Sequence, residues 1–477
     1  MNSKGGAEVG NLVLGAFPGL KVFWTAYDPL DLASDSIDPL GFMAGYVALA
    51  DRILPGFTTI TTVPRYAGML CCAVKHACEA VDGSGGRLSD RPKQTLGRIK
   101  AFERAWALAC GLAEQSSKIG GGAAAGLRGI RSVRHQLAQL ARKGTISLDF
   151  ELLANQERYG GIGAYAAFLE ALHLADMNTL TLSPRGEDLA KEFPQPSSMK
   201  LPRFSENIRV SVEDLRAWGA EAHVGVLTKG EGRVLRDALR RENEGGADDK
   251  TRWTMLRMLR VCGSGDPQEE SHLLSRCLGR FQREGTRGAE DGGQAARRIC
   301  CALQIIEPYE QIYQCATLLF DQIRLVAGRQ GQANLRELAL LPKIEDASTK
   351  LQSAAAQFIK MIEAASDASD GLGPARQVFV KLKIRELAKL FADTRKPIEQ
   401  CQTVVRRHLE VQSNKLDAGR QKQAWVEIDK GGHMFAKLTA QRFALETSQS
   451  TESWTDVPRH SYRTAGAARF IEQCGIK

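Results

Sequence analysis

Four aspartates, Asp28, Asp31, Asp35 and Asp38, crowd into eleven positions near the start of the chain. Hard divalent cations take carboxylate oxygens, so such a group can gather a metal. Asp28-Pro29 and Asp38-Pro39 also mark turns, where aspartate caps helices, and capping is the stronger reading. Asp248-Asp249-Lys250 imitates the end of a nuclease carboxylate-lysine signature. It stands in a Gly-rich stretch with no strand pattern, so it reads better as a solvated charge run within an exposed loop over 240–250. Eleven cysteines contain no CxxC and no Cys/His set with zinc spacing. Most lie in apolar helical contexts, which predicts buried free thiols in a reducing compartment. None of the eight histidines sits four residues from another, and only His433 and His460, in the tail, stand out for testing. The run Gly120-Gly121-Gly122 leads to Leu127-Arg128, without the Lys-Ser or Lys-Thr of a phosphate loop, and reads as a linker. No dinucleotide fingerprint, HExxH, GxSxG or EF-hand occurs. The reading therefore assigns no catalytic residue, no metal and no cofactor, and leans away from an enzyme.

The basic residues say more. The 477-residue chain has 64 Lys plus Arg against 55 Asp plus Glu, a net charge of +9. Residues 376–425 hold twelve bases and five acids, among them Lys381, Lys383, Arg385, Lys389, Arg406 and Arg407. Residues 128–143 hold Arg128, Arg131, Arg134, Arg142 and Lys143 and no acid. Together these two stretches carry more positive charge than the whole chain nets. Clustered bases suit the phosphate backbone of nucleic acid, because each neutralised phosphate releases counterion. The same clusters also read as solvated helix faces. Few aromatics interleave with them, which disfavours a single-strand stacking platform.

The elements that must position these residues are mostly helices. Hydrophobic residues make up 43% of the chain and charged residues 25%, ordinary for a globular protein and incompatible with wholesale disorder. Apolar spacing predicts helices over 40–53, 64–81, 94–115 and 128–143, and nearly continuous helix from 251 onward. Two long ones are expected at 373–395 and 397–425, the second opened by Pro397. The fold class is mainly α and multi-domain, with a helical-bundle C-terminal half. The expected divisions are a disordered start (1–10), a helical domain (11–126), a small insert (127–196), a polar linker (197–250), a bundle with a basic face (251–430) and a tail (431–477). No secretory signal and no apolar run near 20 residues is present, so a cytoplasmic protein with no membrane partner is expected.

The insert carries a resemblance. A helix over 148–155 with Ser147 as N-cap and Glu151 in its first turn, a Gly160-Gly161 turn, a helix over 163–174, strand residues Leu180 and Leu182, a Pro184-Arg185-Gly186 turn and a helix over 187–193 follow the order of a winged-helix module. The stretch "LTLSPRGEDLA" resembles the wing and last helix of prokaryotic winged-helix proteins. The second helix has no Arg or Lys, so base readout through it is not expected, although Arg185 can touch backbone.

The segment "LADRILPGFTTITTVPRYAGMLCCAV", residues 49–74, is similar to the opening of uncharacterised proteins of prokaryotic defence gene clusters. Leu54, Pro55, Gly56, Thr58, Thr61, Arg65 and Tyr66 carry the likeness. It implies a non-enzymatic accessory subunit in anti-phage defence, with neighbouring gene products as protein partners. Arg65 and Tyr66 would face such a partner. Bases on the helices would contact nucleic-acid backbone without reading sequence. A metal-dependent nuclease built from acids such as Asp28 and Asp38, and a protein-only scaffold, are the alternatives.

Overall fold

Leu70, Val74, Ala77 and Val81 keep helical spacing, and the computed structural model realises it in a helix whose apolar side is interior throughout. The structure describes residues 38–83, 91–116, 126–139, 144–195, 209–241, 246–263, 273–284, 290–330, 332–367, 372–417, 420–421, 424–429, 433–436 and 462–476. The apolar stretch 12–27, Asp28, Asp31, Asp35, the run Gly120-Gly121-Gly122, Arg142, Lys143 and His460 lie outside them. The protein is mainly helical, and its few strands are two to four residues long. No described helix is long and apolar enough to cross a membrane. The chain forms two units, each joining separated segments: Met1–Leu49 with Cys301–His460, and Ala50–Cys300 with Ser461–Lys477.

The second of these units contains α1 (Met43–Ile53) from Ala50, α2 (Arg65–Asp82), α3 (Arg91–Ser116), α4 (Ile130–Ala138), β1 (Thr145–Ser147), α5 (Gln156–Tyr159) and α6 (Gly161–Ala171). A hairpin of β2 (Ala175–Asp176) and β3 (Thr181–Leu182) leads to α7 (Pro184–Glu192), β4 (Arg209–Ser211), α8 (Val212–Glu221), α9 (Lys229–Arg240), α10 (Ala247–Cys262) and α11 (Leu273–Glu284). The first part of α12 (Glu290–Gln330) and a closing helix, Thr464–Gln473, complete it. The helix α2 runs through the middle, against α3, α6 and α7.

Several expectations change here. The helix over 148–155 does not form. Ser147 ends a strand, β1, which pairs antiparallel with β4, Thr145 facing Ser211. The β-branched Thr145 and Ile146 favour extended backbone, and the strand that holds them lies more than sixty residues away. Asn155, whose side chain accepts the Arg158 N–H, caps the short α5 instead. The strand ahead of the helix pair thus pairs with β4 and leaves β2–β3 as a separate hairpin.

The polar stretch 197–250 contains α8 and α9, each buried along one side. Ser211 and Thr228 cap them, and Thr228 forms a reciprocal capping box with Glu231. Asp249 is neither catalytic-looking nor solvated. It sits buried in the first turn of α10, paired with Arg252 and 3.7 Å from Arg241.

In the other unit α12 continues from Cys301 through Pro308, which removes one helical hydrogen bond without ending the helix. Then come β5 (Gln332–Asn334), α13 (Leu335–Leu338), α14 (Pro342–Asp367), α15 (Pro374–Lys381), α16 (Ile384–Asp393) and α17 (Pro397–Ser413). The small strands β6 (Leu416–Asp417) and β7 (Arg420–Gln421) pair together, and β8 (Val426–Ile428) and β9 (His433–Ala436) join β5 in the order β5-β9-β8. The closing helix α18 (Thr464–Gln473) belongs to the unit described above.

Ile344, Leu351 and Phe358 repeat every seven residues on α14 and are all buried, the side on which α16 and α17 pack. Two expected helices are shorter than read. The one over 373–395 breaks at Lys383, which adopts the left-handed region (φ 52°) with no glycine or proline to announce it. The one over 397–425 ends at Ser413, and the chain beyond turns into strands so that Trp425 packs near His408.

Candidate nucleic-acid interface

The basic residues of α15 and α16 stand opposite a buried apolar side. Ala375, Phe379, Ile384, Leu387, Ala388 and Phe391 point inward, while Arg376, Gln377, Val380, Lys381, Lys383, Arg385, Glu386, Lys389 and Leu390 face water. Spacings of three and four residues put Arg376 beside Val380, and Arg385 beside Lys389. Arg376, Lys381 and Lys389 make no ion pair among the described residues. Lys383 reaches Glu410 (2.9 Å) and Arg385 reaches Glu363 (2.7 Å), both on the surface. Such pairs are weak, about 0.2–1 kcal/mol, and yield readily to a phosphate. Val380 and Leu390 are 67% and 56% exposed, large values for apolar side chains. Sequence reading missed both. Val380 lies one helical turn from Arg376, and Leu390 one turn from Glu386.

Arg406 and Arg407 part company. Arg406 is exposed. Arg407 is buried, donates from Nε to the Leu40 carbonyl (2.9 Å) and pairs with Glu410 (3.2 Å). The expectation that Arg407 binds phosphate is corrected, because leaving these partners would strand a buried carbonyl.

Neighbouring groups fix the start of the described chain on α17. Both oxygens of the Asp38 carboxylate cap α1, accepting N–H from Phe42 (2.9 Å) and Met43 (2.7 Å). His408 is sandwiched on the same side. The Trp425 N–H donates to its Nε2 (2.9 Å), so its Nδ1 carries the proton toward the Pro39 carbonyl (3.0 Å). Burial holds this ring neutral and depresses its pKa to about 4, with Lys415 and Arg324 adding to the effect.

The second basic stretch lies in the other unit. On α4, Arg131 and Arg134 are exposed, and Arg134 approaches Glu114 (3.4 Å). Arg128 is half-buried ahead of α4, its Nε donating to the Tyr159 carbonyl and its backbone N–H to the Tyr66 hydroxyl (2.7 Å). Arg185 is half-buried in the first turn of α7. Among the described bases assigned to this unit, Arg131 and Arg134 are exposed, and Arg128 and Arg185 are half-buried.

Arg65 and Tyr66, expected to meet a partner, are each 1% exposed. The Arg65 guanidinium donates to Glu231 (2.5 Å) and to the Glu221 carbonyl (2.7 Å), and lies over the Phe193 ring. Burial pulls Arg65 down from its ordinary range and pushes Glu231 up, and the attraction between the two opposes both shifts. Tyr66 stacks on Tyr165 and meets Trp106 edge to face. The rest of the segment is structural too. Gly56 takes a positive φ (82°) with Ala171 against its Cα, the Pro55 carbonyl accepts from Arg252 (3.2 Å), and the Thr58 and Thr61 hydroxyls share a hydrogen bond (2.7 Å). These residues close the interior of their unit, and the surface role expected for Arg65 and Tyr66 is withdrawn.

The remaining candidates for chemistry are quiet. Among the described residues no three His, Cys, Asp or Glu gather as a metal site. All cysteines are free, and burial pushes the Cys72, Cys110, Cys315, Cys401 and Cys474 thiols up to about 12, far from thiolate. His433 is exposed and bonds Asp429. A shallow cleft of about 480 Å³ lined by Lys100, Arg104, Asp149 and Glu151 has its bases engaged, Lys100 with Glu157 and Arg104 with Gln156. No family model, curated protein or solved structure matches the chain.

Proposed function

We propose that this protein is a non-enzymatic accessory subunit that grips nucleic-acid backbone through the exposed face of α15 and α16. One observation carries the reading: Arg376, Lys381 and Lys389 on α15 and α16 are exposed and make no ion pair among the described residues. Lysine and arginine in that state gain most from a phosphate, since no existing salt bridge must be broken. The proposed binding is to the backbone and indifferent to sequence, since a cluster of bases meets phosphate whatever the sequence. The likeness to proteins of defence gene clusters supports an anti-phage setting and protein partners encoded nearby. No residue is assigned to docking those partners.

The test is the salt dependence of binding to a 20-bp duplex. Each lost phosphate contact lowers the slope of log K against log salt by about 0.9, so Lys381→Ala with Lys389→Ala should flatten it by roughly 1–2. The melting temperature should not move, because both side chains are exposed. An unchanged slope in a folded variant overturns the reading. Metal-dependent cleavage of plasmid, abolished by Asp28→Ala, would replace it with a nuclease. Asp38 is a poor candidate for that role, both its oxygens being committed to α1.

A further inference from the structure

Cys262 and Cys277 are brought together by the packing of α10 on α11, within one unit. Cys262, the last residue of α10, follows the buried Met255 and Leu259 at helical spacing. Cys277 stands one turn from Leu273 and one turn from Phe281 on α11, and all three are buried. The thiols of Cys262 and Cys277 share a hydrogen bond, and the Cys262 Sγ also lies 3.6 Å from the Met258 Sδ. Other interior thiols turn to oxygen instead. Cys72 donates to the Gln195 side chain (3.4 Å), and Cys110 approaches the Ala222 carbonyl (3.8 Å).

The two thiols differ in access. Cys277 is fully buried, whereas Cys262 is half-buried at a helix end where Val261 and Gly263 are exposed. The hydrogen bond with Cys262 and burial push the Cys277 thiol well up from its ordinary value, although the Arg276 guanidinium opposes them. Cys262 therefore meets a dissolved oxidant first, and Cys277 waits in contact with it. In a reducing compartment such a pair suits transient, reversible oxidation rather than a permanent bridge.

We propose that Cys262 and Cys277 form a peroxide-sensitive pair that closes to a disulfide and clasps the end of α10 to α11. The Cys262 thiolate attacks one oxygen of hydrogen peroxide. The O–O bond breaks, and the departing hydroxide takes up the thiol proton as water. The Cys277 sulfur then attacks the sulfur of the resulting sulfenic acid. An S–S bond forms, the S–O bond breaks, and a second water leaves with the Cys277 proton. Two thiols are oxidised by two electrons, and one peroxide is reduced to two waters. The bond joins residues fifteen positions apart, so it limits the freedom of the unfolded chain over that span. None of this depends on the function proposed above.

Peptide mapping of the full chain tests the pair. Trypsin cuts after Arg260, Arg276 and Arg280, which places the two cysteines on separate peptides, 261–276 and 277–280. The chain is treated with hydrogen peroxide, and the remaining thiols are blocked with N-ethylmaleimide. The monomer band of a non-reducing gel should then yield the two peptides joined, and dithiothreitol should part them. The oxidised chain should melt roughly 3–8 °C above the reduced one. That rise should vanish with dithiothreitol and in Cys262→Ala, a change at a half-buried helix end. Separate peptides, each carrying maleimide, would overturn the proposal. So would Cys262 oxidised to sulfinic acid alone, either cysteine joined to a different one, or joined peptides without a rise in melting temperature.

Discussion

Arg65 in one unit and the bases of α15–α16 in the other are the same kind of residue in opposite circumstances. Arg65 is sealed between Glu231, the Glu221 carbonyl and Phe193, with no surface to offer. Lys381 and Lys389 hold their charge in water with no described counter-ion. The contrast teaches that a cluster of charge in sequence does not say which of its members are free. Arg406 and Arg407 make the point at adjacent positions. About 100° of helix rotation sends one into solvent and the other under the chain at Leu40.

The sharpest way to break the comparison is to unpair the buried charge. Glu231→Gln should destabilise the protein by about 3–5 kcal/mol, since it leaves Arg65 interior and uncompensated. Adding Arg65→Met should recover much of that loss. Urea denaturation measures both, and equal stability of Glu231→Gln and wild type would show that Arg65 is not sealed.

Acid tests a neutral interior group against the exposed charges. His408 must stay neutral to accept the Trp425 N–H, and its pKa is about 4 in the folded chain against 6.5 ordinarily. Its stabilising contribution is therefore present above pH 6.5 and is lost as the pH falls from 6.5 toward 4, amounting to about 3 kcal/mol at the acid end. His408→Gln should flatten the dependence of stability on pH across that window. A curve of unchanged shape would mean that the ring titrates normally.

Arg407→Ala should cost about 1–3 kcal/mol by leaving the Leu40 carbonyl unsatisfied, while Arg406→Ala should stay within about 0.5 kcal/mol. Thermal melts of the two variants decide it, and equal losses would erase the distinction. The smallest effect belongs to the surface. Removing the Arg385–Glu363 pair with Glu363→Gln should shift stability by under about 1 kcal/mol, with the shift vanishing at high salt.

Much of the helical framework was legible because local spacing encodes it. The periodicity at Leu70, Val74, Ala77 and Val81 needs no partner to be read, and Pro397 does open α17 as expected. Thr228 and Glu231 spelled a capping box that could have revealed α9 inside an apparently polar linker. The break at Lys383 was invisible, since no glycine or proline marks it. So was β1, whose pairing with β4 joins residues more than sixty positions apart. For the candidate site, the sequence supplied where the bases lie and nothing about which are engaged.

By itself, then, the sequence determined the mainly helical class, the concentration of positive charge in 376–425 and the acidic, aromatic character of the first fifty residues. Composition and short-range periodicity contain these things directly. Tertiary structure alone decided that Arg65 and Tyr66 are interior, that Arg407 braces Leu40 while Arg406 does not, and that Val380 and Leu390 remain uncovered by described residues. Burial depends on which distant segments arrive on each side of a helix, and that is a sum over the whole fold that no local pattern contains.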